Sequence, residues 1–218
     1  MWIGKLKIFE PMTIFTDGLI AVCSGYWAIS LITSSSQTGI SLQHYWGYGY
    51  GLIALGGLLG AISHGFGPNF PDYISKIIWK LTVASLGWTS FFLTIGSFYF
   101  IFPLNVIVWL KWVPIALLIL YHIVIFINDE FKVAIYFYAP GMIFACIVFG
   151  LAYLTFALGS AGIVCLGLLM SFIAAGVQMK GVTIHEYFNH NDLYHVIQLI
   201  ALYVIYLGIT NLQDYAAR

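Results

Sequence analysis

The chain has 218 residues, of which 61% are hydrophobic and 18% aromatic, and its 8 basic and 8 acidic residues cancel to zero formal net charge. Charged residues make up 7% of the chain, against about 25% in a soluble globular domain, which excludes a soluble enzyme and a disordered chain. The scattered Lys and Arg residues form no basic patch for binding phosphates, which excludes nucleic acid as a partner. The composition therefore predicts an integral membrane protein whose partners are membrane lipids.

Seven apolar segments are long enough to cross a bilayer, which takes about 20 residues of helix. In chain order they are Thr13–Ser34, Trp46–His64, Lys76–Phe102, Leu104–Ile127, Phe131–Leu158, Ala161–Met179 and Asp192–Thr210. Polar residues, glycines and prolines separate them, as expected of links between helices. We therefore expect an all-α fold, a seven-helix transmembrane bundle that forms a single domain over residues 1–218. The oligomeric state stays open.

Seven spans put the two termini on opposite sides of the membrane, here named side A for the N-terminus and side B for the C-terminus. Most basic residues fall on side A: Lys5, Lys7, Lys76, Lys80, Lys132 and Lys180. Side B receives Lys111 and Arg218. Because cytoplasmic loops carry the excess of Lys and Arg, we expect a cytoplasmic N-terminus. We also expect a plasma (inner) membrane rather than an organelle membrane.

Acidic residues and histidines also cluster on side A, although the positive-inside rule concerns Lys and Arg and does not require this. Those of side A are Glu10, Asp17, Asp72, Asp129, Glu130, Glu186, Asp192, His64, His185, His190 and His195. Side B has Asp214 and His44, and His122 falls inside the fourth span. The clustering predicts a polar site at the side-A end of the bundle.

The seventh span carries a polar stripe along one helical face. Its members are Asn191, His195, Gln198 and Tyr206. A polar stripe that faces lipid is costly, so we expect this one to face the interior of the bundle.

The first and second spans point to the same interior site. His64 shares a helical face with Gly57 and Gly60, and small residues let two helices approach closely. His64 is therefore expected to face a neighbouring helix. Asp17 lies just inside the apolar run of the first span, where an ionisable residue indicates function.

Each of these residues also has an ordinary structural interpretation. Asp17 could cap the first span, and His64 could bond a backbone carbonyl. His185 and His190 could be solvated in the polar link before the seventh span. The Trp and Tyr residues are expected at the two membrane interfaces, and their number implies no aromatic cage.

Four positions carry a resemblance to a known superfamily. They are His64 at the end of the second span, Asp72 near the start of the third, and Asn191 and His195 at the start of the seventh. In this pattern the chain resembles the seven-span putative metal-dependent hydrolases that include alkaline ceramidases and the progestin and adipoQ receptors. That superfamily opens its seventh span with His-x-x-x-His, whereas Asn191 stands at the first position here. The resemblance implies a zinc ion held by His64 and His195, completed by His190 or Asn191, and a zinc-bound water that attacks a lipid amide.

Three functional hypotheses follow. The first is a zinc-dependent hydrolase of a lipid amide or ester, in which Asp72 or Asp17 orients the water or takes its proton. The second is a transporter, channel or receptor-like bundle whose polar faces line a path for a solute or proton. The third is a haem protein with histidines from separate spans as axial ligands, which the lack of a repeated histidine spacing disfavours.

Overall fold

The computed structural model describes residues 2–3 and 6–215. Lys5 and Arg218, which entered the comparison of the two sides, lie outside the described residues. Within the described part, seven helical spans are long and apolar enough to cross a membrane. The predicted all-α, seven-helix bundle is therefore confirmed, and the chain is a multi-pass integral membrane protein. The side of the membrane on which the N-terminus lies stays a prediction.

Among the described residues, eight α-helices build the seven spans, because the fourth span consists of two helices. They are α1 (Pro11–Thr38), α2 (Ser41–Phe66), α3 (Asp72–Ile101), α4 (Leu104–Leu110), α5 (Trp112–Ile127), α6 (Phe131–Phe156), α7 (Gly159–Lys180) and α8 (His190–Ile209). A short antiparallel hairpin of β1 (Trp2–Ile3) and β2 (Leu6–Lys7) precedes α1, and a 3-10 turn, Gly67–Asn69, follows α2.

The first link is shorter than the sequence predicts, because α1 continues through the polar run after Ser34. Ser36 Oγ donates to the Ile32 carbonyl at 2.8 Å, and Thr38 Oγ1 donates to the Ser34 carbonyl at 2.9 Å. These hydroxyls bond to carbonyls one turn earlier, so the polar side chains are satisfied while the backbone stays helical. Gly39, with φ of 75° in the left-handed region, ends α1.

The second span also begins earlier than predicted, at Ser41, because an acidic residue from the far end of the chain caps it. The backbone N–H groups of Ser41 and Leu42 donate to the two carboxylate oxygens of Asp214, each at 2.8 Å. A carboxylate here satisfies free donors and complements the helix dipole. Gln43 Nε2 donates to the Thr210 carbonyl at 3.1 Å. We call these five residues the side-B latch, because they join the start of α2 to the end of α8.

Proline and backbone geometry explain two further differences. The fourth span is interrupted at Lys111, because Pro114 has no N–H to donate and its ring clashes with the carbonyl of Leu110, four residues earlier. The fifth span ends at Phe156, before the predicted boundary, because Ala157 adopts a left-handed φ of 52°.

Close packing of α1 on α2 positions the polar residues of side A. Helices that are neighbours in sequence pack together, α3 also contacts α5 and α6, and α8 packs on α1 to close the bundle. A Cβ atom on Gly57 would lie 2.9 Å from the Asp17 carbonyl oxygen. This contact confirms the close approach that the glycine pattern of the second span predicted.

Candidate functional site

The first and last spans meet through a buried carboxylate and a buried imidazole. His195 Nε2 of α8 lies 3.3 Å from Asp17 Oδ1 of α1, and the two residues are 8% and 4% exposed. Ionisable groups inside a membrane span are costly unless they are paired. The sequence predicted a site role for each residue, and the structure brings the two into direct contact.

Thr16 holds the imidazole from its other side. Thr16 Oγ1 lies 3.0 Å from His195 Nδ1 and donates its own proton to the Thr13 carbonyl at 3.2 Å. Because the Thr16 hydroxyl proton bonds to the Thr13 carbonyl, the hydrogen between Thr16 and His195 belongs to Nδ1, and Thr16 Oγ1 accepts it. The contact between Nε2 and Asp17 then needs one further proton, held by the imidazole or by the carboxylate. Sequence reasoning missed Thr16, because only its contact with α8 distinguishes it.

Glu10, the residue before α1, joins three helices at side A. Its Oε1 lies 3.7 Å from His64 Nδ1 of α2. Its Oε2 lies 3.1 Å from Thr13 Oγ1 and accepts from Asn189 Nδ2, just before α8, at 3.5 Å. The sequence placed Glu10 on side A but assigned it no role.

Asp192 has a structural role, as the partner of Asn189 in a capping box at the start of α8. The Asn189 N–H donates to Asp192 Oδ2 at 2.9 Å, and Thr13 Oγ1 donates to Asp192 Oδ1 at 2.8 Å. Both carboxylate oxygens of this buried residue are therefore satisfied. The Asn-x-x-Asp spacing before an apolar run is the sequence pattern that reveals such a cap.

A cavity of about 100 Å³ lies beside Asp17 and His195, and we call it the side-A cavity. Its polar lining residues are Asp17, His64, Thr82, Gln178, Asn191, His195 and Gln198. The first, second and seventh spans thus converge on one site, as the helical faces predicted. Gln178 of α7 was not predicted and enters the site by donating to Asn191 Oδ1 at 2.8 Å.

Two buried acceptor atoms at the side-A cavity have no hydrogen-bond partner among the described residues. They are Asp17 Oδ2 and Gln178 Oε1. A Cβ atom on Gly60 would lie 3.0 Å from Asp17 Oδ2, so this glycine leaves the room that the carboxylate occupies. A buried acceptor without a partner costs about 1–3 kcal/mol. A bound molecule that donates a hydrogen bond would remove that cost.

Aromatic rings in edge and tilted contact form a continuous arc in the wall of the side-A cavity. Ring centroids are 6.1 Å apart between His64 and Trp79, 6.3 Å between Trp79 and Phe131, and 5.9 Å between Phe131 and Tyr194. Tyr194 in turn lies 5.2 Å from His195, and all five residues line the cavity. The number of Trp and Tyr residues implied no aromatic cage, and this arc was not predicted from the sequence. The rings come from four helices, so their convergence has no local sequence pattern.

Other predicted residues lie apart from the cavity. Asp72, predicted as a catalytic group, is the exposed first residue of α3 and is not in the cavity lining. His190, predicted as a metal ligand, is the first residue of α8 and is likewise outside that lining. His185 and Glu186 are exposed in the preceding link. Their roles stay predictions.

A zinc ion at His195 would compete with the contacts that its imidazole makes in this structure. Both ring nitrogens of His195 are engaged, Nε2 by Asp17 and Nδ1 by Thr16. Over residues 2–3 and 6–215, no group of three or more His, Cys, Asp or Glu side chains converges to hold a metal ion. A metal at His195 Nε2 would have to displace Asp17. Zinc stays a prediction.

Residues 12–214 match the model of a family described as a family of unknown function, DUF6962. The match extends from the second residue of α1 to the side-B latch, so it includes every residue that lines the side-A cavity. No curated protein and no solved structure matches the chain.

Proposed function

We propose that this chain, which belongs to the family of unknown function DUF6962, is a membrane carrier for small solutes that donate hydrogen bonds. The observation that carries the proposal is the Asp17 carboxylate, which is buried within the first span and leaves Oδ2 unpaired at the side-A cavity. Ionisable residues inside membrane spans are characteristic of substrate and ion pathways.

The polar residues around the cavity support a ligand that donates. Asp17 Oδ2 and Gln178 Oε1 are both acceptors and both unpaired among the described residues. A solute with N–H or O–H groups would satisfy them, whereas a solute with acceptors alone would leave them unpaired and add repulsion. The site therefore favours donors over anions.

A carrier needs a way for the solute to leave at each end of the bundle. At side A, the cavity lies next to the contact between His64 and Glu10, whose side chains are 23% and 39% exposed. At side B, the latch joins α2 to α8 through Asp214 and Gln43. Opening of the latch would give a solute a second exit, and the glycine face of α2 would allow the helices to slide.

The proposal can be tested with purified protein in lipid nanodiscs and in liposomes. Thermal unfolding is measured with a panel of small amines, amides, alcohols and carboxylates, and uptake is then measured for the solutes that stabilise the protein. We expect donors to stabilise the wild type and the control Asp129→Asn, but not Asp17→Asn. Asp129 is a suitable control because it pairs with Lys80 at 3.3 Å and is not in the cavity lining. Stabilisation that persists in Asp17→Asn, or binding without uptake, would contradict the carrier.

A zinc-dependent hydrolase of a lipid amide or ester is a second candidate, favoured by a specific feature. A mostly apolar cavity of about 100 Å³ shares Ile53, Leu86, Tyr194 and Gln198 with the side-A cavity, and it offers room for part of an acyl chain. The candidate requires the contacts of His195 to rearrange around a metal. Metal analysis of wild-type protein and of His64→Ala and His195→Ala tests it: bound zinc that both variants lose would support the hydrolase.

A further inference from the structure

The charge at the side-A cavity narrows the class of solute, provided that the cavity is the solute site proposed above. Asp17 is 4% exposed, so its carboxylate lies away from bulk solvent. No Lys or Arg occurs among the described residues that line the cavity. Lys80, the residue after Trp79, is not in the lining and donates to the carbonyls of Ile125 and Phe126, each at 2.9 Å. The lining therefore holds no permanently charged cation, and the carboxylate is balanced by the one proton between Asp17 and His195, which a bound cation would replace.

The aromatic arc supplies the second half of a recognition site for a cation. The faces of Trp, Tyr and Phe attract a cation within about 6 Å of the ring centre, and Trp does so most strongly. Trp79 is held in place because its Nε1–H donates to the Asp129 carbonyl at 2.7 Å. Its indole nitrogen is thus satisfied outside the cavity, and the ring itself contributes to the wall.

We propose that the side-A cavity binds a small alkylammonium ion that retains at least one N–H. The ammonium group donates to Asp17 Oδ2, and its methyl or methylene groups contact Trp79, Phe131 and Tyr194. The unpaired Oε1 of Gln178 is a second acceptor for an ion with more than one N–H. A quaternary ammonium ion would gain the ring contacts but leave both acceptors unpaired.

The size of the cavity limits the ligand to a few heavy atoms. A single water needs about 10–15 Å³ of such volume, and the side-A cavity has about 100 Å³. Methylammonium and trimethylammonium ions therefore fit, whereas a complete lipid headgroup with its glycerol does not.

The experiment measures binding of trimethylammonium chloride to the full chain in nanodiscs by calorimetry. Three comparison probes each change one property. Tetramethylammonium lacks the N–H, tert-butanol lacks the charge, and sodium acetate supplies a charge of the opposite sign. We expect trimethylammonium to bind at least tenfold more tightly than tert-butanol, tetramethylammonium to be intermediate, and acetate not to bind. Equal binding of tert-butanol and trimethylammonium would overturn the inference.

Variants separate the two parts of the site. Asp17→Asn should weaken trimethylammonium binding by tenfold or more, and Trp79→Leu should weaken it by about tenfold, as expected of a desolvated cation–π contact. Trp79→Phe should recover part of the loss. Trp88→Leu is the matched control, since Trp88 lies on the same helix but not in the cavity lining, and it should bind as the wild type does. Equal losses in Trp79→Leu and Trp88→Leu would overturn the role of the ring.

Failure of this inference is distinguishable from failure of the carrier. If neutral donors bind and are taken up but ammonium ions are not, the ammonium site is wrong and the carrier stands. If trimethylammonium binds in an Asp17-dependent way but never enters liposomes, the carrier is wrong and the ammonium site stands. Should Asp17→Asn fail to fold, Gln178→Leu replaces it, with an expected loss of several-fold for methylammonium.

Discussion

His195 Nε2 and Asp17 Oδ1, 3.3 Å apart, join the last membrane span to the first. Because both side chains are buried inside the bundle, replacing one of them leaves the other without a partner in apolar surroundings. Asp17→Ala or His195→Ala should therefore lower the free energy of unfolding by about 1–3 kcal/mol. The double variant should cost clearly less than the sum of the two single changes.

Chemical unfolding in mixed micelles measures this coupling. His122→Ala is the matched control, because the His122 ring nitrogen Nδ1 bonds to the Leu118 carbonyl of its own helix at 2.8 Å, and its contact with the third span is a ring contact with Trp88 rather than an ion pair. Additive effects of Asp17→Ala and His195→Ala would show that the contact contributes nothing to the bundle.

Gly60→Ala should disturb the carboxylate itself. The new Cβ atom would lie 3.0 Å from Asp17 Oδ2 and 3.1 Å from Asp17 Oδ1, so the carboxylate must move. We expect loss of solute binding and a destabilisation of about 1–2 kcal/mol, the scale of an overpacked core. Gly18→Ala is the control, because its Cβ atom meets nothing within 4 Å, and it should be neutral or stabilise by up to about 1 kcal/mol. Solute binding by Gly60→Ala that equals the wild type would contradict the placement of the carboxylate.

The side-B latch should be weakened by Asp214→Ala. The change removes the acceptors for the Ser41 and Leu42 N–H groups, and loss of a cap typically costs about 0.5–2 kcal/mol. Hydrogen exchange at the start of α2 should accelerate, while exchange around Asp17 stays as in the wild type. Faster exchange throughout the bundle would instead indicate that Asp214 supports the whole fold.

Single-cysteine labelling tests the predicted orientation. After replacement of Cys23, Cys146 and Cys165, a cysteine is placed at Thr183 in the link before α8 or at Asn211 after it; both positions are exposed. An impermeant maleimide applied to intact cells should label the variant at Asn211 and should label the variant at Thr183 only after permeabilisation. The reverse pattern would place the N-terminus outside.

The seven spans were predictable because a span requires little beyond a long apolar run. The interior position of Asp17, His64 and His195 was predictable as well, since helical periodicity fixes which residues share a face. The early start of α2 was not, because it depends on Asp214, which follows the last helix.

The composition of the cavity wall was the least predictable part. Trp79, Phe131 and Tyr194 meet only through the packing of separate helices, and aromatic residues in a membrane protein are more readily assigned to the interfaces. Asn191, predicted as a metal ligand, accepts a hydrogen bond from Gln178. Gln178, its partner on α7, belongs to no sequence pattern that predicts this contact.

The pairing of the first span with the last has a consequence for biogenesis. Asp17 is inserted early in synthesis, but His195 and the cap on α2 from Asp214 arrive only with the final helix and the residues after it. Until then, Asp17 lies in the bilayer without its partner. The conformational entropy lost in bringing Asp17 and His195 together is therefore lost only when the last helix packs. A chain that ends before α8 would therefore leave Asp17 without His195, and solute binding would serve as a readout of complete assembly.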